Sequence, residues 1–133
     1  MRFHRLYSDS DGESHWSDVE VALEEKTFAP PAKAIEISAP EPVTQSMFLR
    51  LRSGWDEPIH PTPVAQKLIC LSGRVRVTAS DGEAREIGPG DVWHMEDKHG
   101  KGHHTAVISD EDFLSVIVQY ECVRPTPSRD DRK

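Results

Sequence analysis

The side chains best suited to chemistry in this chain are its histidines and the carboxylates near them. Seven histidines occur among 133 residues. His103 and His104 follow Glu96 and Asp97 across a short glycine-rich loop. An imidazole exchanges a proton near neutral pH, and a carboxylate oriented on it raises its basicity. Glu96-Asp97 beside His103 is therefore either an acid–base group or the solvated charge of a loop. His94, inside a strand-like run after Trp93, leans towards core packing. His4, His15 and His99 stand among polar residues and are expected at the surface. Lys98 and Lys101 flank glycines, but Gly100-Lys101-Gly102 lacks the length and the following Ser/Thr of a phosphate loop. No serine nucleophile elbow and no Cys/His pair at a telling spacing is present. Arg50 and Arg52, like Arg74 and Arg76, share a strand face. They are solvated there, or Arg50 or Arg52 offers a guanidinium to a carboxylate at a pocket mouth.

The elements that must hold these groups read as short strands. Arg2 to Tyr7, Met47 to Leu51, Ala65 to Leu71, Val75 to Thr78, Arg85 to Ile87, Asp91 to Met95, His103 to Ser109 and Phe113 to Tyr120 are alternating or apolar runs. Asp81-Gly82 predicts a hairpin turn. Val19, Val21 and Leu23 alternate as a strand would, although Ser17 three residues before Glu20 also permits a capped helix. Ten prolines and eight glycines, spread through the chain, leave little room for long helices. Many short strands with frequent turns predict a sandwich or barrel.

Composition excludes other classes. The net charge of −7, without a basic cluster, argues against nucleic acid or an anionic membrane as partner. No apolar run approaches the roughly 20 residues that span a bilayer, and the N-terminus lacks a signal-peptide stretch. Cys70 and Cys122 lie far apart in apolar runs and are expected as buried free thiols, which suits a cytoplasmic protein. The stretch 125–133 has no large apolar residue and is expected as a disordered tail.

One region resembles a known family. Gly54, five residues, His60, one residue, Thr62, three residues, Gln66, six residues, Gly73 has the spacing of the first cupin motif. Thr62 stands where that motif usually has a second His, and Gln66 where it has Glu. Gly88-Pro89-Gly90-Asp91 resembles the start of the second motif. Glu96 takes its proline position, and its His arrives late, at His103 or His104. The 16 residues between Gly73 and Gly90 suit the short hairpin between the motifs. The segment 96–105 also resembles a group of small single-domain cupins with no settled common activity.

The resemblance implies an all-β, cupin-type jelly-roll barrel or sandwich of one domain. Residues 1–45 would be an arm adding edge strands, 46–124 the barrel and 125–133 the tail. Such arms often pair across a homodimer, so a homodimer is expected. The barrel would enclose a small polar or acidic metabolite. Parity puts Gln66, Leu68 and Cys70 on one face, and lets only one of His103 and His104 point inward. His60, Gln66 and His103 are the candidate catalytic residues. Arg50, Trp55, Thr62, Leu68 and Glu96 are the candidates for contacting substrate. Three states of the site stay open. Zn, Fe, Mn or Ni could be held by His60, Gln66 and His103 or His104, completed by water or Glu96. The same polar groups could bind a ligand without metal, or serve structure alone. Function stays open likewise, between an isomerase, lyase or oxygenase and a non-catalytic binding or sensing module.

Overall fold

The computed structural model describes residues 1–121. The expected tail, Cys122 and the last residues assigned to the barrel lie outside them. Eleven strands are found among the described residues, and no helix. They are β1 (Arg2–Ser8), β2 (Ser14–Glu20), β3 (Glu24–Lys26), β4 (Ile35–Ile37), β5 (Gln45–Leu51), β6 (Gln66–Ser72), β7 (Val75–Ala79), β8 (Ala84–Ile87), β9 (Val92–Glu96), β10 (His103–Val107) and β11 (Phe113–Gln119).

Their pairing builds two facing sheets and a separate two-stranded sheet of β3 and β4. Of the facing sheets, one has the order β2-β1-β9-β6-β11-β5, the other β10-β7-β8. Bridges Asp56↔Ala106 and His60↔His103 lay the segment 56–60 along β10 as a fourth member of the smaller sheet. From β5 onward the chain repeatedly crosses between the sheets: β5, β6, β9 and β11 fall in one, and 56–60, β7, β8 and β10 in the other. That order is a jelly roll, as the resemblance implied.

Side-chain alternation explains why these sheets close on each other. β11 buries every second residue, and β6 buries Gln66, Leu68 and Cys70. Leu6, Val75, Val77, Ile87 and Phe113 are fully buried between the sheets. Each such side chain contributes about 1.5–3 kcal/mol over an exposed one. Burial also pushes the Cys70 thiol up to about 11, so it stays an unreactive core group.

The N-terminal arm joins the larger sheet within the same chain. β1 pairs in parallel with β9, from His4↔Trp93 to Tyr7↔Glu96, and β2 pairs antiparallel with β1. Val19 lies in β2, while 21–23 is outside any strand, so neither reading of that stretch holds throughout. The turn between β1 and β2 holds the 97–102 loop. Buried Ser14 donates from Oγ to the Gly102 carbonyl at 2.7 Å, and the Lys101 N–H donates to the Gly12 carbonyl at 2.9 Å. The arm thus fixes the loop that introduces His103.

Candidate functional site

Between the sheets lies a cavity of about 440 Å³. Most of its wall is apolar or aromatic: Leu49, Leu51, Leu68, Met95, Phe113 and Ile117, with Trp55 and Trp93. The polar residues on it are Arg50, Glu57, His60, Thr62, Gln66, His103 and Thr105. Of the residues singled out in the sequence, Arg50, Trp55, His60, Thr62, Gln66, Leu68 and His103 line the cavity, and Glu57 and Thr105 line it without having been singled out.

The backbone brings His60 and His103 together. The His60 N–H donates to the His103 carbonyl at 3.2 Å, and the His103 N–H donates back at 3.0 Å. A pair that exchanges both bonds presents its side chains on one face of the sheet. The two rings lie 5.5 Å apart, centre to centre. Gly102 permits this approach. It adopts φ +76°, and a Cβ there would come within 2.1 Å of the His60 carbonyl carbon.

Each imidazole is fixed through its Nδ1. The His60 Nδ1–H donates to the Pro58 carbonyl at 2.8 Å. The His103 Nδ1–H donates to Asp97 Oδ2 at 2.5 Å, with both side chains almost fully buried. Asp97 Oδ1 accepts from Thr62 Oγ1 at 2.8 Å. Thr62 thus holds the carboxylate that holds His103, a task unlike that of the histidine usual at this motif position. In both rings the Nε2 lone pair remains for another partner.

Glu57 completes the group. Its Oε1 lies 3.8 Å from His60 Nε2, and one donor atom each from Glu57, His60 and His103 fall within 4.8 Å of one another. Metal–ligand lengths of about 2.0–2.2 Å put two ligands of one ion about 3–4 Å apart. Two imidazole nitrogens and a carboxylate oxygen are donor types that suit a divalent transition ion, and their spread of up to 4.8 Å closes on one with a small shift of the side chains. No signal in the sequence marked Glu57, because 55–61 has no strand alternation to give it a face.

Other expectations fall elsewhere. Gln66 faces the cavity, but its Oε1 accepts from Gln119 at 2.9 Å and its Nε2 faces Met95 Sδ at 3.4 Å. Its amide is engaged in this internal chain rather than offered beside the two imidazoles. His104 points to the opposite face, where Nε2 meets Asp56 Oδ1 at 2.6 Å. That settles the parity question in favour of His103. Glu96 also faces out, accepting from Arg5 Nε at 2.7 Å with His94 Nδ1 at 3.3 Å. It is removed from the cavity because it alternates with inward Met95. Arg50 borders the cavity on β5, yet its register partner is Leu114. Both alternate with the inward Leu49, Leu51 and Phe113, so parity turns the guanidinium to the outer face.

Among families and curated proteins, no family model matches the chain and no curated protein matches it. Solved structures do. A Rhizobium leguminosarum protein of unknown function is 26% identical over 58% of this chain and 69% of its own, with a TM-score of 0.48. A Cupin 2 conserved barrel domain protein from Salinispora arenicola is 19% identical, covering 77% of this chain and 76% of its own, TM-score 0.47. The cupin domain of Schizosaccharomyces pombe Cnp3 is 13% identical, covering 81% and 73%, TM-score 0.47. The chain's own strand order, with His60 and His103 side by side on one face of the smaller sheet, is the jelly roll that the cupin resemblance implies.

Proposed function

We propose that this chain is a small cupin that binds a small molecule next to a divalent metal ion held by Glu57, His60 and His103. The observation that supports this most is the pair of imidazoles with both Nδ1 atoms committed, to Pro58 and to Asp97, and a ring nitrogen of each within 4.8 Å of the Glu57 carboxylate. A carboxylate behind a ligating histidine is the usual way a metal site orients its ligand. When bound, the ion would act as a Lewis acid on a ligand oxygen or on water. The chain's own residues do the remainder. Thr62 and Asp97 hold His103, Pro58 holds His60, and the apolar wall excludes water from a bound molecule. We read the chain as an enzyme of the isomerase, lyase or oxygenase type, working in the cytoplasm.

A second reading, a binding module without metal, draws support from Thr62 and Gln66, both tied into internal hydrogen bonds where the motif usually has ligands. A homodimer belongs to either reading. β5 is an edge strand, and Phe48 on it is 84% exposed. Elemental analysis of the purified full chain and of His60→Ala separates the two readings. About one equivalent of transition metal in the parent, lost in the variant, supports the metal centre. Metal near zero in both supports the binding module.

A further inference from the structure

A strand that ends a sheet offers unpaired N–H and C=O groups to any other strand, and proteins blunt such edges with charge, proline, bulges or short length. The other edges of the two facing sheets are blunted in this way. β2 carries His15, Asp18 and Glu20. β8 has only four residues, two of them Arg85 and Glu86. The 56–60 segment has Asp56, Glu57 and Pro58. β5 differs. It ends the larger sheet with no strand on its outer side among the described residues. Its seven residues include no proline and no acid, and its pairing with β11 runs without a bulge. Arg50 is its one charge.

The surface beside this edge is apolar. Phe48 and Leu71 stand exposed on the outer face of the sheet, and Met47 is partly exposed on the inner face. A groove of about 340 Å³ runs between Phe48, Leu71 and Leu114, with Arg50 at its border. Exposed apolar side chains gathered in this way mark a contact surface.

The strand is complementary to itself. Laid antiparallel on a copy about a two-fold axis at Phe48, it sets Phe48 against the partner's Phe48, Met47 against the partner's Leu49, and Ser46 against the partner's Arg50. An axis at Arg50 would instead set two guanidiniums face to face. Net charge also points to this edge. At −7 two copies repel, so they meet most easily along a strand that carries no acid.

We propose that two copies of the chain join β5 to β5 in this register, making one continuous sheet across an isologous contact. This rests on the homodimer named above and does not require the metal. It also takes β1 out of the contact, since that strand is already paired on both sides within its own chain. The pairing reaches the cavity. Leu49 and Leu51 line it, and the partner's Met47 and the partner's Gln45 lie beside them on the inward face. Each copy thus extends the cavity wall of the other.

Sedimentation velocity of the full chain tests the contact. The parent should be a dimer. Phe48→Glu puts two acids across the axis on an exposed position, and should be monomeric at the same concentration with unchanged circular dichroism. Disulfide trapping reads the register, in a chain carrying Cys122→Ser and treated with oxidised glutathione. Phe48→Cys should give a covalent dimer, because opposite Cα atoms lie about 4.5–5.5 Å apart, within the span of a disulfide. Ser46→Cys should give none, since its mate lies four residues away along the strand, about 13 Å. A monomeric parent overturns the proposal and the homodimer together. A dimer that withstands Phe48→Glu, or that is trapped at 46 and not at 48, keeps the homodimer and overturns this contact.

Discussion

Asp97 is fully buried, and both of its carboxylate oxygens are committed, one to Thr62 and one to His103. It acts on the site only through His103, by fixing the ring and enriching the opposite nitrogen. Its replacement by Asn keeps the size and the acceptor for Thr62 but removes the charge. Asp97→Asn should lower metal affinity about 10–100-fold, as outer partners of ligating histidines generally do. Calorimetric zinc titration checks this, with circular dichroism confirming that the variant stays folded. The division between what sequence could and could not reveal is also clearest at this scale. His60 was legible because the first motif's spacing survives without its other ligands, and His103 only as one of the pair His103 and His104 that comes late for the second motif. Glu57 was not, because a ligand in an irregular segment has no periodicity to betray it. Thr62 was visible as an oddity, but its role depends on Asp97 approaching from 35 residues away.

The elements matter through how closely they pass. The 97–102 loop runs against the 56–60 segment, and Gly102 is the point of closest approach. A left-handed φ costs a non-glycine residue roughly 1–3 kcal/mol, and the clash with the His60 backbone adds to it. Gly102→Ala should therefore destabilise the fold by at least about 2 kcal/mol and separate His60 from His103. Urea denaturation reads the first effect, and weakened metal binding under folding conditions reads the second. Strand positions and turns were legible from alternation and from Gly and Pro placement. The strand length of β2 and the missing strand at 21–23 were not, because that stretch is exposed and its alternation buries nothing. Parity alone likewise left His103 and His104 equivalent until the pairing of β10 with β7 and with 56–60 fixed which face looks inward.

Across the whole molecule, the arm and the barrel are joined by a titratable latch. His15 on β2 lies 2.6 Å from Asp9 Oδ2 and 2.9 Å from Asp81 Oδ2, the latter in the β7–β8 turn. The hydrogen bond to Asp9, then that to Asp81, raises the His15 pKa above its ordinary 6.5. The bond to His15 lowers Asp9 below its ordinary 3.8. A raised imidazole contributes stability in full below the unfolded value, and that contribution is lost as pH rises through the folded one. A depressed carboxylate contributes above its unfolded value and loses this as pH falls. The latch should therefore be strongest between the two ordinary values. Thermal melting of the parent and of His15→Gln should differ most at about pH 5 and converge towards pH 9. A difference that grows towards pH 9 would contradict it. A sandwich or barrel was legible because period-two alternation recurs along the chain, and the jelly roll was what the resemblance implied. The route by which β1 joins β9 was not, since parallel pairing between residues some 90 apart leaves no local trace.

The metal centre is tested most directly at the ligand that distinguishes it, Glu57. Cobalt(II) is titrated into the chelator-stripped full chain and followed in the visible region, for the parent and for Glu57→Gln. The parent should bind one equivalent with visible bands from a nitrogen–oxygen site, and Glu57→Gln should bind at least tenfold more weakly with altered bands. Cobalt spectra identical in the parent and the variant, or no bound cobalt in the parent, would contradict the assignment of Glu57, His60 and His103 as one site.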